Sequence, residues 1–181
     1  KPLIWWFDGH WELKSKYSLA VVEELCLKIR KKIPTAIIND RLGIKYTSDD
    51  ELGFADYRVY ADRFIPEKKP SVTWEHINTV SLSWGRNKKQ KDKDYKTVEE
   101  LTDLYIKVRK LGGKFLINIG PNANGSLDPI EESRLLGLGK AISELTEEDT
   151  LEKEEKVSPI EDEEKSDIEE EQVKKDINYK K

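Results

Sequence analysis

The chain has 181 residues, enough for one domain with a sizeable core, of which 38% are charged and 36% hydrophobic. Its net charge of −4 is unevenly spread: residues 146–181 carry 15 acidic and 7 basic side chains, a balance of −8 that leaves residues 1–145 at +4. So small a basic surplus excludes a dedicated nucleic-acid binder. No run approaches the ~18–20 apolar residues of a membrane span, and a lone cysteine, Cys26, excludes an internal disulfide framework.

Residues 2–7 form a continuous apolar run ending at Asp8-Gly9, the pattern of a strand buried on both faces. No methionine precedes or follows it, so Lys1 reads as an internal position. Leu19, Val22, Leu25, Cys26 and Ile29 then recur at helical spacing over 19–31, with Ser18 at the N-cap position. Cys26 on that stripe reads as a buried structural thiol. After Pro34, Ala36-Ile37-Ile38 makes a second short strand running into Asn39-Asp40-Arg41. Residues 39–73 lack clear periodicity; a loop of that length is usually functional or disordered, and its aromatics and mixed charge favour function.

A third strand is expected near 79–84, followed by a lysine-rich connection and a helix over 98–111. Thr97 and Glu100 make its capping box, Val98, Leu101, Leu104, Tyr105, Val108 and Leu111 line one face, and Gly112 ends it. Residues 115–119 give a fourth buried strand, Asn124-Gly125 a turn, and Asp128-Pro129 the cap and first position of a last helix. That helix is expected to end near Glu144. Beyond it lies an acidic low-complexity tail, 146–181, too poor in apolar residues to offset the entropy of ordering. Residues 146–156 are compatible with a solvated helical extension. Apolar strands alternating with amphipathic helices imply an α/β fold of parallel β/α units. About four such units fit half of a (β/α)8 barrel or part of an open doubly wound sheet, and the pattern does not choose.

In either architecture the chemistry lies at the C-terminal ends of the strands. Asp8, Asn39-Asp40-Arg41, Trp84 and Asn118 stand there, and Asp62 and Glu75 flank the end of the long loop. Asp8 sits among Trp5, Trp6, Phe7 and Trp11. It reads either as an acid bonding local backbone or as a carboxylate against rings that cover the apolar face of a pyranose. Neither Gly112-Gly113 nor Gly120-Pro121 supplies a phosphate loop, and there is no Gly-x-Ser-x-Gly elbow. His10 and His76 are too few for a zinc site, so no metal and no cofactor are expected. Carboxylate chemistry remains. Two carboxylates about 5–5.5 Å apart hydrolyse a glycoside with retention, one attacking the anomeric carbon while the other protonates the leaving oxygen.

The segment from Lys1 to Glu12, with Trp6-Phe7-Asp8-Gly9 at its centre and Trp11 after it, resembles the nucleophile segment of the family 29 α-L-fucosidases. Ile38-Asn39-Asp40-Arg41, Trp74-Glu75, Ser83-Trp84-Gly85 and the run from Leu111 to Pro121 resemble further motifs of that family, in the same order. The resemblance covers residues 1 to about 142. It implies that residues 1–145 are the C-terminal half of a catalytic barrel. It also implies a retaining hydrolase acting on terminal α-L-fucosyl residues of glycans or glycoconjugates through a covalent intermediate.

On that resemblance Asp8 is the nucleophile, Asp62 the acid/base candidate and Glu75 its rival. Trp6, Arg41 and Trp84 contact the sugar, and Asn118 shapes the pocket. Secretion, a lysosome or a periplasm would suit such a substrate. Arg86 replaces a usual Tyr, Lys114 replaces a usual Asn, and acidic sequence stands where the family continues with further barrel and a β-sandwich. The missing front strands imply that this polypeptide alone is inactive. They also keep open a degenerate protein that binds fucosylated glycans without hydrolysing them.

Overall fold

The computed structural model describes residues 2–9, 19–43, 48 and 51–151. Strand β1 (Ile4–Trp5) pairs in parallel with β2 (Ile37–Ile38), Ile4 opposite Ile37 and Trp5 opposite Ile38. Strands β3 (Arg58–Val59), β4 (Trp74–Thr79) and β5 (Lys114–Asn118) form a second parallel set in that order. A parallel bridge between Asn39 and Tyr57 joins the sets, so the described strands follow one another in chain order.

Helix α1 (Leu19–Lys32) separates β1 from β2, α2 (Val98–Lys110) separates β4 from β5, and α3 (Pro129–Glu144) follows β5. The capping box of Thr97 and Glu100 and the Asp128 cap, with Pro129 behind it, fall where the sequence puts them. After Glu144 the chain breaks at Leu145 into a separate short helix, α4 (Glu147–Thr150), opened by Thr146 and Asp149. Ser18, His10, Trp11, Glu12 and the tail from residue 152 lie outside the described residues.

Alternation along each strand sorts the side chains into layers. Trp5 and Phe7 pack with Val22, Cys26 and Ile29 of α1 and with Ala36 and Ile38. Phe115, Ile117 and Ile119 pack with Leu101 of α2 and Leu138 of α3. The residues between them, Trp6 and Leu116, turn to the other face and meet Tyr57, Val59 and Ile77. Helices thus cover one face of the strands, while a smaller apolar cluster occupies the other. Cys26 is fully buried, as its place on the α1 stripe implies.

The sequence expectation of four strands is corrected in two places. The third strand is Trp74–Thr79 rather than 79–84, and Arg58–Val59 adds a strand inside the stretch expected to be a loop. The connections from β2 to β3 and from β3 to β4 contain no helix among the described residues. The reason is chemical. Strand β4 buries Trp74, His76 and Asn78, which gives no apolar run to read. These polar groups are satisfied internally: Trp74 Nε1 donates to the Leu111 carbonyl at 2.9 Å, and His76 bonds the Phe64 carbonyl at 2.8 Å and Asn78 at 3.1 Å. Burial holds the His76 imidazole below its ordinary pKa, the state expected of an uncharged side chain within a sheet.

Candidate active site

The end of β1 is fixed by its neighbour. Asn39, fully buried, accepts from the Phe7 amide at 2.8 Å and donates to the Phe7 carbonyl at 2.9 Å, immediately before Asp8. The next residue, Asp40, accepts from the Val59 amide at 2.8 Å and pairs with Arg58 at 3.1 Å, tying the β2 end to β3. Burial raises the Asp40 pKa, opposed by the Val59 amide and the Arg58 charge.

Arg41 then turns its guanidinium across the strand ends. One nitrogen donates to Asp8 Oδ1 at 2.9 Å; the other donates to Asp62 Oδ1 at 2.6 Å and to the Tyr60 carbonyl at 2.8 Å. The guanidinium carbon also lies 5.2 Å from the centre of the Trp6 ring. Arg41 is only 7% exposed, whereas Asp8 and Asp62 are 47% and 44% exposed. Burial works against the Arg41 charge, but hydrogen bonds and charges from Asp62 and Asp8 outweigh it and raise the pKa further. The cation is therefore fixed, and both carboxylates keep open faces.

The residue after Asp62 ties this loop to β4. Arg63 adopts a left-handed φ of 63°, rare for a residue with a Cβ, and its amide donates to the Ile77 carbonyl at 3.0 Å. The Arg63 side chain lies over Trp84 at 5.1 Å and bonds Thr79 Oγ1 and the Leu82 carbonyl. Trp84 is also held from β5, where Asn118 Nδ2 donates to its carbonyl at 2.6 Å.

These residues enclose one cleft of about 470 Å³, lined by Trp6, Asp8, Arg41, Asp62, Trp84 and Asn118, with Ile77 and Leu116 contributing apolar surface. The structure thus brings together Trp6, Asp8, Arg41, Asp62 and Trp84 from four separate sequence segments. Glu75 does not line the cleft. Its carboxylate accepts from Trp6 Nε1 at 2.7 Å, and burial raises its pKa against the opposing effects of that bond and of Arg41. Sequence reasoning missed Ile77 and Leu116, because the register that aims them inward was unknown, and Arg63, whose φ leaves no sequence mark. No group of three or more potential metal-ligating side chains occurs among the described residues.

A sequence profile of the alpha-L-fucosidase family matches residues 1–147. The chain belongs to that family. It is 31% identical over 146 residues to the tissue alpha-L-fucosidase of Macaca fascicularis, covering 79% of this chain and 30% of that one. The alpha-L-fucosidase of Dictyostelium discoideum is 31% identical over 144 residues, again 79% of this chain and 30% of the relative.

Among solved fucosidase structures, one superposes with a TM-score of 0.64 at 27% identity, covering 77% of this chain and 29% of that one. The Lactobacillus casei enzyme in complex with alpha-L-fucose product superposes with a TM-score of 0.63 at 26% identity, over 78% of this chain and 40% of the other. This fucosidase-family chain therefore spans about a third of the length of its curated relatives. No helix among its described residues is long and apolar enough to cross a membrane.

Proposed function

We propose that this chain supplies part of the catalytic site of a retaining α-L-fucosidase, with a partial (β/α)8 barrel as its scaffold. The observation that carries the reading is Arg41 bonding Asp8 and Asp62 in one cleft. Two carboxylates sharing one guanidinium suit the short separation that retention requires, about 5–5.5 Å. Asp8 attacks the anomeric carbon of a terminal α-L-fucosyl residue while Asp62 protonates the departing oxygen. The covalent fucosyl-enzyme is then opened by a water whose proton passes to Asp62, freeing Asp8. Trp6 and Trp84 offer ring faces to the sugar's apolar surface, and Asn118 borders it. Glu75 anchors the Trp6 indole rather than serving as the acid, because its bonded oxygen faces Trp6 and not the cleft. The substrate is a fucosylated glycan or glycoconjugate, which agrees with a secreted, lysosomal or periplasmic setting.

The test is hydrolysis of an aryl α-L-fucoside by the full-length protein. Asp8→Ala is expected to abolish turnover, with partial recovery in azide and formation of a fucosyl azide. Asp62→Ala is expected to lose about 10²–10⁴-fold, most severely with poor leaving groups. Fucose binding without turnover in the unmutated protein would replace the hydrolase by a glycan-binding protein.

A further inference from the structure

Trp84, in the loop after β4, and Asn118, at the end of β5, line one side of the cleft, and the segments that follow them stay joined beyond it. Asn118 bonds the Trp84 carbonyl at the inner end. Farther out, Gly120 approaches the backbone of Gly85 and Arg86 so closely that an added Cβ would lie 2.7 Å from the Arg86 nitrogen. Farther still, Arg86 Nε donates to Asn122 Oδ1 at 2.9 Å. Here a second cleft of about 640 Å³ opens, lined by Arg86, Lys88, Asn122, Ala123, Asn124 and Ser126. The same two segments thus line both clefts, their inner residues facing the first and their outer residues the second.

Most polar groups of this outer cleft are already committed. Arg86 pairs with Asp128 at 2.9 Å, which balances its charge. Asn122 Nδ2 donates to Ser126 Oγ and the Leu127 carbonyl, and Asn124 Oδ1 accepts from the Ser126 amide and hydroxyl. Left over are donors. Lys88 is exposed and has no partner among the described residues, and no carboxylate lines the cleft. The acids that follow it in sequence are turned to other partners, Asp92 to Arg134 at 3.2 Å and Asp94 to the Lys91 amide at 2.9 Å, and no ion pair joins either to Lys88 among the described residues. A cleft offering an uncompensated ammonium selects a ligand rich in acceptors and negatively charged.

We infer that the outer cleft receives the sugar from which the fucosyl residue is cleaved, and that Lys88 selects leaving groups bearing a carboxylate or a sulfate ester. The inference rests on the fucosidase reading for its term "leaving group" but not for its binding chemistry. Titration calorimetry on the full-length protein tests it, using one oligosaccharide scaffold in neutral, carboxylated and sulfated forms. The acidic forms are expected to bind about 2- to 5-fold more tightly at low salt. That advantage should vanish near 0.5 M salt and reverse in Lys88→Glu. A preference for only one acidic form identifies which group the cleft takes.

Equal affinities for neutral and acidic forms in both proteins would overturn the inference. Aryl fucoside turnover, measured in parallel, separates the two readings. Turnover without a Lys88-dependent preference removes the outer site and leaves the hydrolase. A Lys88-dependent preference without turnover keeps an acidic-glycan site and removes the hydrolase.

Discussion

Asn39, Asp40 and Arg41 are consecutive, yet each side chain closes a different join: to the backbone before Asp8, to β3, and across both cleft carboxylates. Their place after an apolar run put all three at a strand end, and the same reading singled out Asp8 and Trp84, whereas the roles of Trp6 and Asp62 were what the resemblance implied. What sequence could not separate was Asp62 from Glu75, since both are acids flanking the same loop. Their surroundings differ. Asp62 is bonded to Arg41 on the open cleft, and Glu75 is half-buried against Trp6.

Burial raises the Glu75 pKa above 4.5, so the folded protein holds its proton longer than the unfolded chain does. Stability contributed by this group is therefore complete at acid pH and declines as pH rises from about 4.5 through the folded value. Glu75→Gln retains an acceptor for Trp6 and removes the charge. Urea midpoints of this variant are expected to fall less than those of the unmutated protein as pH rises from about 4.5 towards neutrality. Its turnover should stay within about tenfold; a loss of about 10²–10⁴-fold would instead make Glu75 the acid/base.

At the scale of elements, the helices were legible because their ends carry local chemistry, while β3 and β4 were not. The α2 cap reads directly from Thr97 and Glu100. Strand β4 is defined instead by what packs on it from far along the chain. Gly113 is the clearest instance. A Cβ there would lie 2.5 Å from the Trp74 ring and 2.8 Å from Val108, so the α2–β5 turn closes on Trp74 only without a side chain. The Trp74 indole returns the contact by donating to Leu111. Gly113→Ala is expected to cost about 1–3 kcal/mol through overpacking, seen as a fall of several degrees in thermal midpoint. An unchanged midpoint would mean that Trp74 can move aside, and that the turn does not fix β4 against α2. Tyr57-Arg58-Val59-Tyr60 carries the aromatic and β-branched residues of a strand. Two paired residues are too few for periodicity to show, and β3 exists because β2 and β4 flank it.

At the scale of the molecule, parallel sheets require cover on both faces, and the proposed (β/α)8 barrel would close with eight strands. The described strands are five, and apolar side chains remain open at one end of the row: Leu3 is 52% exposed and Ile4 56%. On α1, Leu19 and Leu27 are 59% and 58% exposed while Val22, Cys26 and Ile29 face inward. An open strand edge and exposed apolar side chains on a helix both drive association. The isolated 181-residue polypeptide is therefore expected to self-associate with rising concentration in sedimentation velocity and to show no fucoside turnover. Leu19→Lys together with Leu27→Lys keeps good helix formers on the exposed side of α1 and removes much of that surface. The double variant should sediment as a monomer at concentrations where the parent associates, with unchanged helical circular dichroism. A parent chain that stays monomeric throughout would show that the α1 side is not adhesive. Association that persists in the double variant would assign the contact to the β1 edge, where Leu3 and Ile4 remain.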